Sequence, residues 1–181
     1  NFKATSSTTL EYKYVPSINE LIQNGTFIPE DRDAYLKKGP KKIRKGNDII
    51  PGKGLPKGGD ALVNPDKKNK KHTRDPILDF ITTTNTATPG DPTGEIGRDY
   101  YIAAWNSSFR IFNLDGTAAS PAASLGNFFT QDAGDPIALY DSEADRYIIT
   151  SMGSSAVNFA ISVSNDPVNG GWHVYNATSN S

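Results

Sequence analysis

A run of acidic residues lies between two stretches of alternating apolar residues in the C-terminal half of the sequence. Five carboxylates fall within fourteen residues: Asp132, Asp135, Asp141, Glu143 and Asp145. Calcium takes six to eight oxygen ligands, often from alternate residues of an acidic loop, and residues 141, 143 and 145 alternate in this way. The five acids are therefore candidate calcium ligands. The run lacks the central Gly and the distant bidentate Glu of an EF-hand.

The same acids are also typical of the polar end of a β-hairpin, which is the interpretation we favour. Asp141 would start the turn by accepting a backbone amide two residues on. Asp135 precedes Pro136, which favours an extended backbone at that position. Arg146, on the following strand, is the predicted ionic partner of Asp141 or Asp135. Catalysis by a pair of these acids is the third alternative.

A second candidate turn is the stretch SVSNDPVNGGW at residues 162–172. It resembles a lengthened Asp-box, the Ser-x-Asp-x-Gly-x-Thr-Trp turn of sialidase propellers. In that motif the polar side chains hold a β-turn and the Trp packs between blades, away from the active site. The resemblance therefore implies a structural turn formed by Ser164, Asp166, Gly170 and Trp172.

Other kinds of chemistry find little support in the residue types. The chain has no cysteine, which excludes disulfides, thiolate metal sites and a Cys nucleophile. His72 and His173 have no partner at metal-ligand spacing. A retaining glycosidase needs two acids at a fixed separation, and nothing in the sequence brings such a pair together. The residues thus favour a protein with no catalytic site and no cofactor, apart from the candidate calcium ion.

The elements that position these residues are predicted to be short strands. Turn residues separate β-type runs at spacings of about 8–12 residues, which predicts a mainly β, antiparallel domain over residues 75–181. The run DPILDFITTT, which starts at Asp75, is also rich in β-forming residues. The predicted strands are Tyr100–Trp105, Phe109–Asn113, Ile137–Tyr140, Tyr147–Met152, Asn158–Ser164 and Trp172–Tyr175.

Residues 1–36 form an N-terminal segment that includes one short helix. Ser17 and Glu20 have the spacing of a capping box, and Gly25 can adopt the left-handed conformation that ends a helix. Ile18, Leu21 and Ile22 are the predicted apolar stripe. A helix of about two turns is not stable alone, so it must dock on another surface.

Residues 37–74 are strongly basic and have no helical or strand period. They carry thirteen Lys and Arg against three acids, whereas residues 75–181 carry three bases and twelve acids. We predict a linker or an extended, mostly irregular arm that contacts a protein partner or an anionic surface polymer. Nucleic-acid binding is not expected, because single-strand binders interleave aromatic residues with the cations and this segment has none. No apolar run approaches the ~18 residues of a membrane span.

The order of several short motifs is typical of one protein family. These motifs are GEIG at 94–97, WNSSFRIFNLDG at 105–116, GDPIALYD at 134–141, ADRYIITSM at 144–152 and SVSNDPVNGGWHVY at 162–175. Over about residues 91–176 the sequence resembles large secreted β-propeller-like proteins of Bacteroidota and related bacteria. Many of these proteins are exported by the type IX secretion system. Tyr147 stands where that family usually has Trp.

The resemblance implies antiparallel propeller-like blades and an extracellular or cell-surface location in a bacterium. Blades take about 40–50 residues, so residues 91–176 provide about two. Because propellers carry many functions, the fold implies no activity. We expect a non-catalytic module for adhesion or scaffolding. Two alternatives stay open: a glycoside hydrolase or sialidase-like enzyme whose active site lies in other blades, and an accessory subunit of a cell-surface assembly whose arm, residues 1–74, threads over a partner.

Overall fold

The computed structural model describes most of the N-terminal segment and of the C-terminal half. The described stretches are residues 10–31, 78–84, 90–129, 134–153 and 156–178. Residues 10–31 and the described residues from 80 onward belong to one compact unit, which does not include Leu78 and Asp79. The fold given below is that of this unit. The basic segment 37–74 and the candidate ligand Asp132 lie outside the described residues.

The described residues form nine strands, one α-helix and one 3₁₀ turn, which confirms a mainly β fold with little helix. All strand pairs are antiparallel. The elements in chain order are β1 (Glu11–Val15), α1 (Ile18–Gln23), β2 (Thr93–Ile96), β3 (Tyr100–Trp105), β4 (Ser108–Asn113), β5 (Ala123–Ser124), the 3₁₀ turn (Leu125–Asn127), β6 (Gly134–Asp141), β7 (Arg146–Met152), β8 (Ala156–Ser162) and β9 (Trp172–Thr178).

The strands form two sheets, and each sheet contains a meander of consecutive strands. The four-stranded sheet has the order β2-β3-β4-β5. The five-stranded sheet has the order β1-β9-β8-β7-β6, so β1 is added to the far edge of the second meander. The first strands of the two meanders lie next to each other, and the amide of Ala138 on β6 is 3.5 Å from Oγ1 of Thr93 on β2.

A short sequence pattern recurs in the two meanders. Each begins with Gly-Asp-Pro, and both Asp residues, Asp91 and Asp135, have positive φ angles of 40° and 46°. The extended backbone predicted for Asp135 is therefore wrong, because the turn that begins the meander requires a left-handed residue there. Repetition at a fixed period is the sequence sign of a structural repeat. The matching pieces lie 44, 46 and 50 residues apart, and they are Gly-Asp-Pro at 90–92 and 134–136, Asp-x-Tyr-Ile at 99–102 and 145–148, and Phe-x-Ile at 109–111 and 159–161.

The N-terminal helix docks on the chain's own β structure. Oγ of Ser17 accepts the amide of Glu20 at 3.1 Å, as the capping box predicts, and Gly25 has a φ of 69°. Ile18 and Leu21 are buried in the core. Ile22 was predicted in the same stripe, but it is 41 % exposed because the short helix turns only one face to the sheets.

Residues 27–30 run along the outer edge of the four-stranded sheet. The Ser124 amide donates to the Ile28 carbonyl at 3.0 Å, and the Asn127 side chain bonds both the amide and the carbonyl of Ile28, at 2.8 and 2.7 Å. Since β1 pairs with β9, the segment 10–31 supplies the outermost strand of the five-stranded sheet and an extended stretch beside β5 of the other sheet.

One apolar core lies between the two sheets. Trp172 and Phe128 are fully buried, with ring centroids 4.8 Å apart, and Phe128 stacks on Phe109 at 5.0 Å. The strand alternation sends β3 and β4 residues such as Ile111 toward this core, together with Ile149 from β7. Burial of these large side chains is the main driving force that holds the sheets face to face.

Residues 78–84 form no strand, although the run to which they belong, DPILDFITTT, is rich in β-forming residues. Phe80 instead packs on the other face of the four-stranded sheet, with ring centroids 6.0 Å from Tyr101 and 5.2 Å from Phe112. The Phe80 side chain therefore covers a sheet face, whereas Ile81 is 77 % exposed.

Adjacent isoleucines on β7 provide a matched stability test. Ile149 is fully buried between the sheets, whereas Ile148 points to the opposite face and is half-buried. We expect Ile149→Ala to cost about 2–5 kcal/mol and Ile148→Ala roughly 1 kcal/mol or less, measured by urea unfolding of the full chain. Equal losses would contradict the assignment of the two faces.

Candidate functional site

The acidic stretch forms the turn between β6 and β7. Oδ1 of Asp141 accepts the amides of Glu143 and Ala144 at 2.9 and 3.0 Å. This is the local hydrogen bonding by which Asp starts a turn. Asp145 ends the turn with a φ of 55°, a left-handed conformation that Asp tolerates better than most residues. The Asp141 carboxylate is therefore engaged in shaping the hairpin.

The Asp145 carboxylate joins the two sheets. Its Oδ2 lies 2.8 Å from Nη1 of Arg98, which belongs to the β2–β3 turn of the other sheet, and its Oδ1 accepts the hydroxyl of Tyr140. Donation to Asp145 raises the pKa of Tyr140. The Arg98 side chain is 62 % exposed, so the ion pair contributes little stability through charge alone. Arg146, the partner predicted from sequence, donates instead to the Ser162 carbonyl at 3.2 Å.

The remaining candidate calcium ligands do not converge with these two. Asp135 lies at the start of β6 and Asp141 at its end, which puts them roughly 20 Å apart at the usual rise of a strand. Glu143 is exposed at the tip of the turn. Within the described ranges, no group of three or more His, Asp or Glu side chains is placed to hold a metal ion.

Tyr147 connects the two sheets beside this acidic turn. The hydroxyl of Tyr147 donates to the Tyr100 carbonyl at 2.9 Å and accepts the Tyr100 amide at 3.0 Å. The ring covers Gly97, where an added Cβ would lie 2.2 Å from the hydroxyl oxygen. Burial raises the pKa of Tyr147, so the hydroxyl stays protonated as donor. Gly97 is thus required by the close approach of the ring.

The stretch before β9 is a polar turn around Asp166. Oδ1 of Asp166 accepts the amides of Val168 and Asn169 at 3.0 and 2.9 Å, and Oγ of Ser164 accepts the Asp166 amide at 3.2 Å. At Gly170 a Cβ would lie 2.6 Å from the Asp166 carbonyl oxygen, which leaves room only for glycine. The structure thus brings Ser164, Asp166 and Gly170 together in one turn.

The fourth residue of that stretch anchors the turn in the core. Trp172 is fully buried, and its Nε1 donates to the Pro167 carbonyl at 3.2 Å. Partial burial alone would raise the pKa of Asp166, but hydrogen bonds from Asn169 and Val168 outweigh it and hold the pKa below its usual value. Fixed carboxylates and buried aromatics of this kind stabilise a turn and offer no open reacting group.

Of the two histidines, His72 lies outside the described residues. His173 lies on the outer side of β9, where Nδ1 is 3.0 Å from the hydroxyl of Tyr12 and the ring makes an edge contact with Tyr14 at 6.3 Å. These contacts with aromatic side chains on a sheet face are typical of a packing role.

Sequence reasoning missed the residues that connect the sheets, although a signal for them exists. The pattern Asp-x-Tyr-Ile occurs at residues 99–102 and again at 145–148, before the second strand of each meander. Its recurrence would have marked Asp145 and Tyr147 as parts of a repeat. Arg98 and Tyr140 carry no such signal, because their contacts depend on how the two sheets pack.

Comparisons of the chain with protein-family models, with curated proteins and with solved structures find no match. Within the described ranges, no helix has the length and apolar character that a membrane crossing requires.

The Asp166 turn generates a pH-dependent prediction. We expect Asp166→Ala to cost about 1–2 kcal/mol at pH 7, because two amides lose their acceptor. The folded pKa is depressed, so the stabilisation is present above the unfolded pKa of about 3.9 and is lost as the pH falls through the folded pKa. Urea unfolding of both proteins from pH 7 to pH 3 should show the difference shrinking below about pH 4.

Asp166→Asn is the control for this experiment. Asn keeps an acceptor oxygen but does not titrate, so it should recover part of the stability with no pH dependence of its own. A difference between Asp166→Ala and the native chain that stays constant down to pH 3 would refute the account.

The acidic hairpin gives a prediction about calcium. Because Asp141 and Asp145 are engaged with backbone amides, Tyr140 and Arg98, we expect the same melting temperature in excess EGTA and in millimolar calcium chloride. A site at a hundred times its Kd would add about 2.7 kcal/mol and raise the melting temperature by several degrees. Such a rise, absent with magnesium chloride, would establish the calcium site instead.

Proposed function

We propose that this chain is a non-catalytic module of a secreted or cell-surface bacterial protein, in which propeller-like β blades serve adhesion or scaffolding. The proposal rests on one observation: acidic turn residues occur at corresponding positions of the two meanders. Asp91 and Asp135 begin the two meanders, and Asp99 and Asp145 precede their second strands. A catalytic carboxylate is needed once in a site, whereas a residue that shapes the backbone is needed in every repeat.

The hydrogen bonding of the acids supports the same function. Asp115, Asp141 and Asp166 each accept at least one backbone amide within three residues. A general acid or nucleophile must be free to reach a substrate, and in each of these turns Oδ1 already accepts a backbone amide. The glycoside hydrolase alternative would therefore depend on residues outside these turns.

Two features of the fold support the propeller-like part of the proposal. Each sheet is built on a meander of four consecutive strands, and the first strands of the meanders, β2 and β6, are neighbours. Propeller blades are four-stranded sheets that pack face to face around a centre. The apolar core between the two sheets is consistent with that packing.

The secretion and attachment parts of the proposal are supported by the sequence. The ordered motifs over residues 91–176 resemble secreted proteins of Bacteroidota, which supports export by a type IX system. The segment 37–74, with thirteen bases, is suited to an anionic polymer or an acidic protein. Since residues 10–31 pack on the chain's own sheets, an accessory subunit would have to use the basic segment to hold its partner.

The function is tested with the full chain on two kinds of probe. We expect salt-dependent retention on immobilised heparin as an anionic polymer, no retention on neutral dextran, and no product from a panel of aryl glycosides that includes a sialoside. Replacing Lys41, Lys42, Arg44 and Lys45 with Gln should weaken retention. Hydrolysis that is lost in Asp145→Asn would overturn the non-catalytic assignment.

Matched variants at the repeated aspartates separate geometry from chemistry. Because Gly accepts a positive φ freely, Asp91→Gly and Asp135→Gly should keep or raise the melting temperature. Asp91→Ala and Asp135→Ala should each cost about 1–2 kcal/mol. A Gly variant that unfolds earlier than its Ala counterpart would mean that the carboxylate, and not the backbone conformation, matters there.

A further inference from the structure

The five-stranded sheet has an apolar face that no other described residue covers. We call it the outer face, the side turned away from the four-stranded sheet. Monomers rarely expose large contiguous apolar patches without a binding role. The apolar side chains on this face that are at least 39 % exposed are Tyr12, Tyr14, Ile137, Leu139, Met152 and Val157, and half-buried Ile148, Phe159, Ile161 and Tyr175 lie between them.

The repeat identifies the corresponding face of the four-stranded sheet. Phe109 and Ile111 of β4 match Phe159 and Ile161 of β8 in sequence. Phe109 and Ile111 are fully buried because the five-stranded sheet packs over them. Their counterparts lie on the outer face and remain partly open to solvent. The same pattern is therefore covered in the first sheet and uncovered in the second.

The chain itself provides one example of how such a face is covered. In the second meander, the Tyr147 ring covers Gly97 of the first meander, and the Tyr147 hydroxyl donates to the backbone carbonyl of Tyr100. The Arg98–Asp145 pair joins the two hairpin ends at 2.8 Å. A meander that presents an aromatic residue near the start of its second strand can thus cover the apolar face of the preceding one.

We propose that the outer face is the docking surface for a third sheet of the same repeat, which follows the second as the second follows the first. This sheet would contribute an aromatic residue equivalent to Tyr147 near the β6–β7 hairpin, and apolar side chains over Phe159 and Ile161. The inference rests on the repeat in the proposed function and is independent of adhesion.

Two other occupants suit the face less well. A second copy of the chain would have to offer the matching face of its four-stranded sheet, but there Phe80 already packs on Tyr101 and Phe112. The chain's own basic segment, residues 37–74, has no aromatic residue and thirteen Lys or Arg, so it offers little apolar area for this surface.

Because the chain has no cysteine, a single introduced cysteine can be labelled to report the exposure of one position on the face. Thr150 lies at the middle of the outer face, paired with Ile137 on one side and Phe159 on the other. Thr150→Cys reports the outer face, and Gln23→Cys, exposed at the end of α1 and away from the outer face, is the matched control. Each is made in the full chain and in a tandem chain that carries a second copy of residues 130–178 after residue 181.

We expect maleimide to label Thr150→Cys at least tenfold more slowly in the tandem chain than in the full chain, and Gln23→Cys at similar rates in both. Equal rates at Thr150→Cys would overturn the proposal. So would an appended copy that gains no protected amides in hydrogen exchange, because the face is expected to template it. The expected slowing would establish docking whether or not the chain binds heparin or hydrolyses a glycoside.

The full chain alone distinguishes the other occupants. Protection of Thr150→Cys that rises with protein concentration would assign the face to a second copy. Protection that is independent of concentration would assign it to the chain's own segment. Either result would overturn the proposal, whereas rapid labelling at every concentration supports it.

Discussion

Both faces of the five-stranded sheet are apolar, and this constraint governs the rest of the molecule. A sheet that is apolar on one face needs one neighbouring layer, and a sheet that is apolar on both faces needs two. The core side, with Trp172 and Ile149, is covered by the four-stranded sheet and by α1. The hydrophobic contribution to folding is roughly proportional to the apolar area removed from water. The covered face of the sheet therefore supplies most of the stability of the described fold.

The polar residues take their places from the same constraint. Two sheets that pack face to face bring their hairpin ends together at one rim, and the chain reverses there with little room for side chains. Asp141 and Asp166 accept backbone amides at this rim, and Asp145 accepts the Tyr140 hydroxyl and pairs with Arg98. Gly97 and Gly170 allow the close approaches. The acidic residues that suggest a reactive site in the sequence therefore lie in turns, where each helps the backbone to reverse its direction.

Local features could be predicted from the sequence, and long-range ones could not. Alternating apolar residues located β3, β4, β7 and β9 to within about three residues at each end, and the Ser17 cap located α1. The pairing of β1 with β9 joins residues such as Tyr12 and His173, 161 positions apart, and no local pattern encodes it. The short strands β2 and β5 were not predicted for a related reason. They are strands because they pair with β3 and β4, and their own composition does not mark them as strands.

The N-terminal segment supplies the outermost elements of both sheets. β1 pairs with β9, residues 28–30 run beside β5, and the first strands of the two meanders, β2 and β6, lie against each other. The positions beside β9 and β5 are therefore taken by the chain itself, and β1 is the terminal strand of the five-stranded sheet. The third sheet that we propose would instead pack on the outer face, because sheet-on-sheet packing is how the two described meanders already meet.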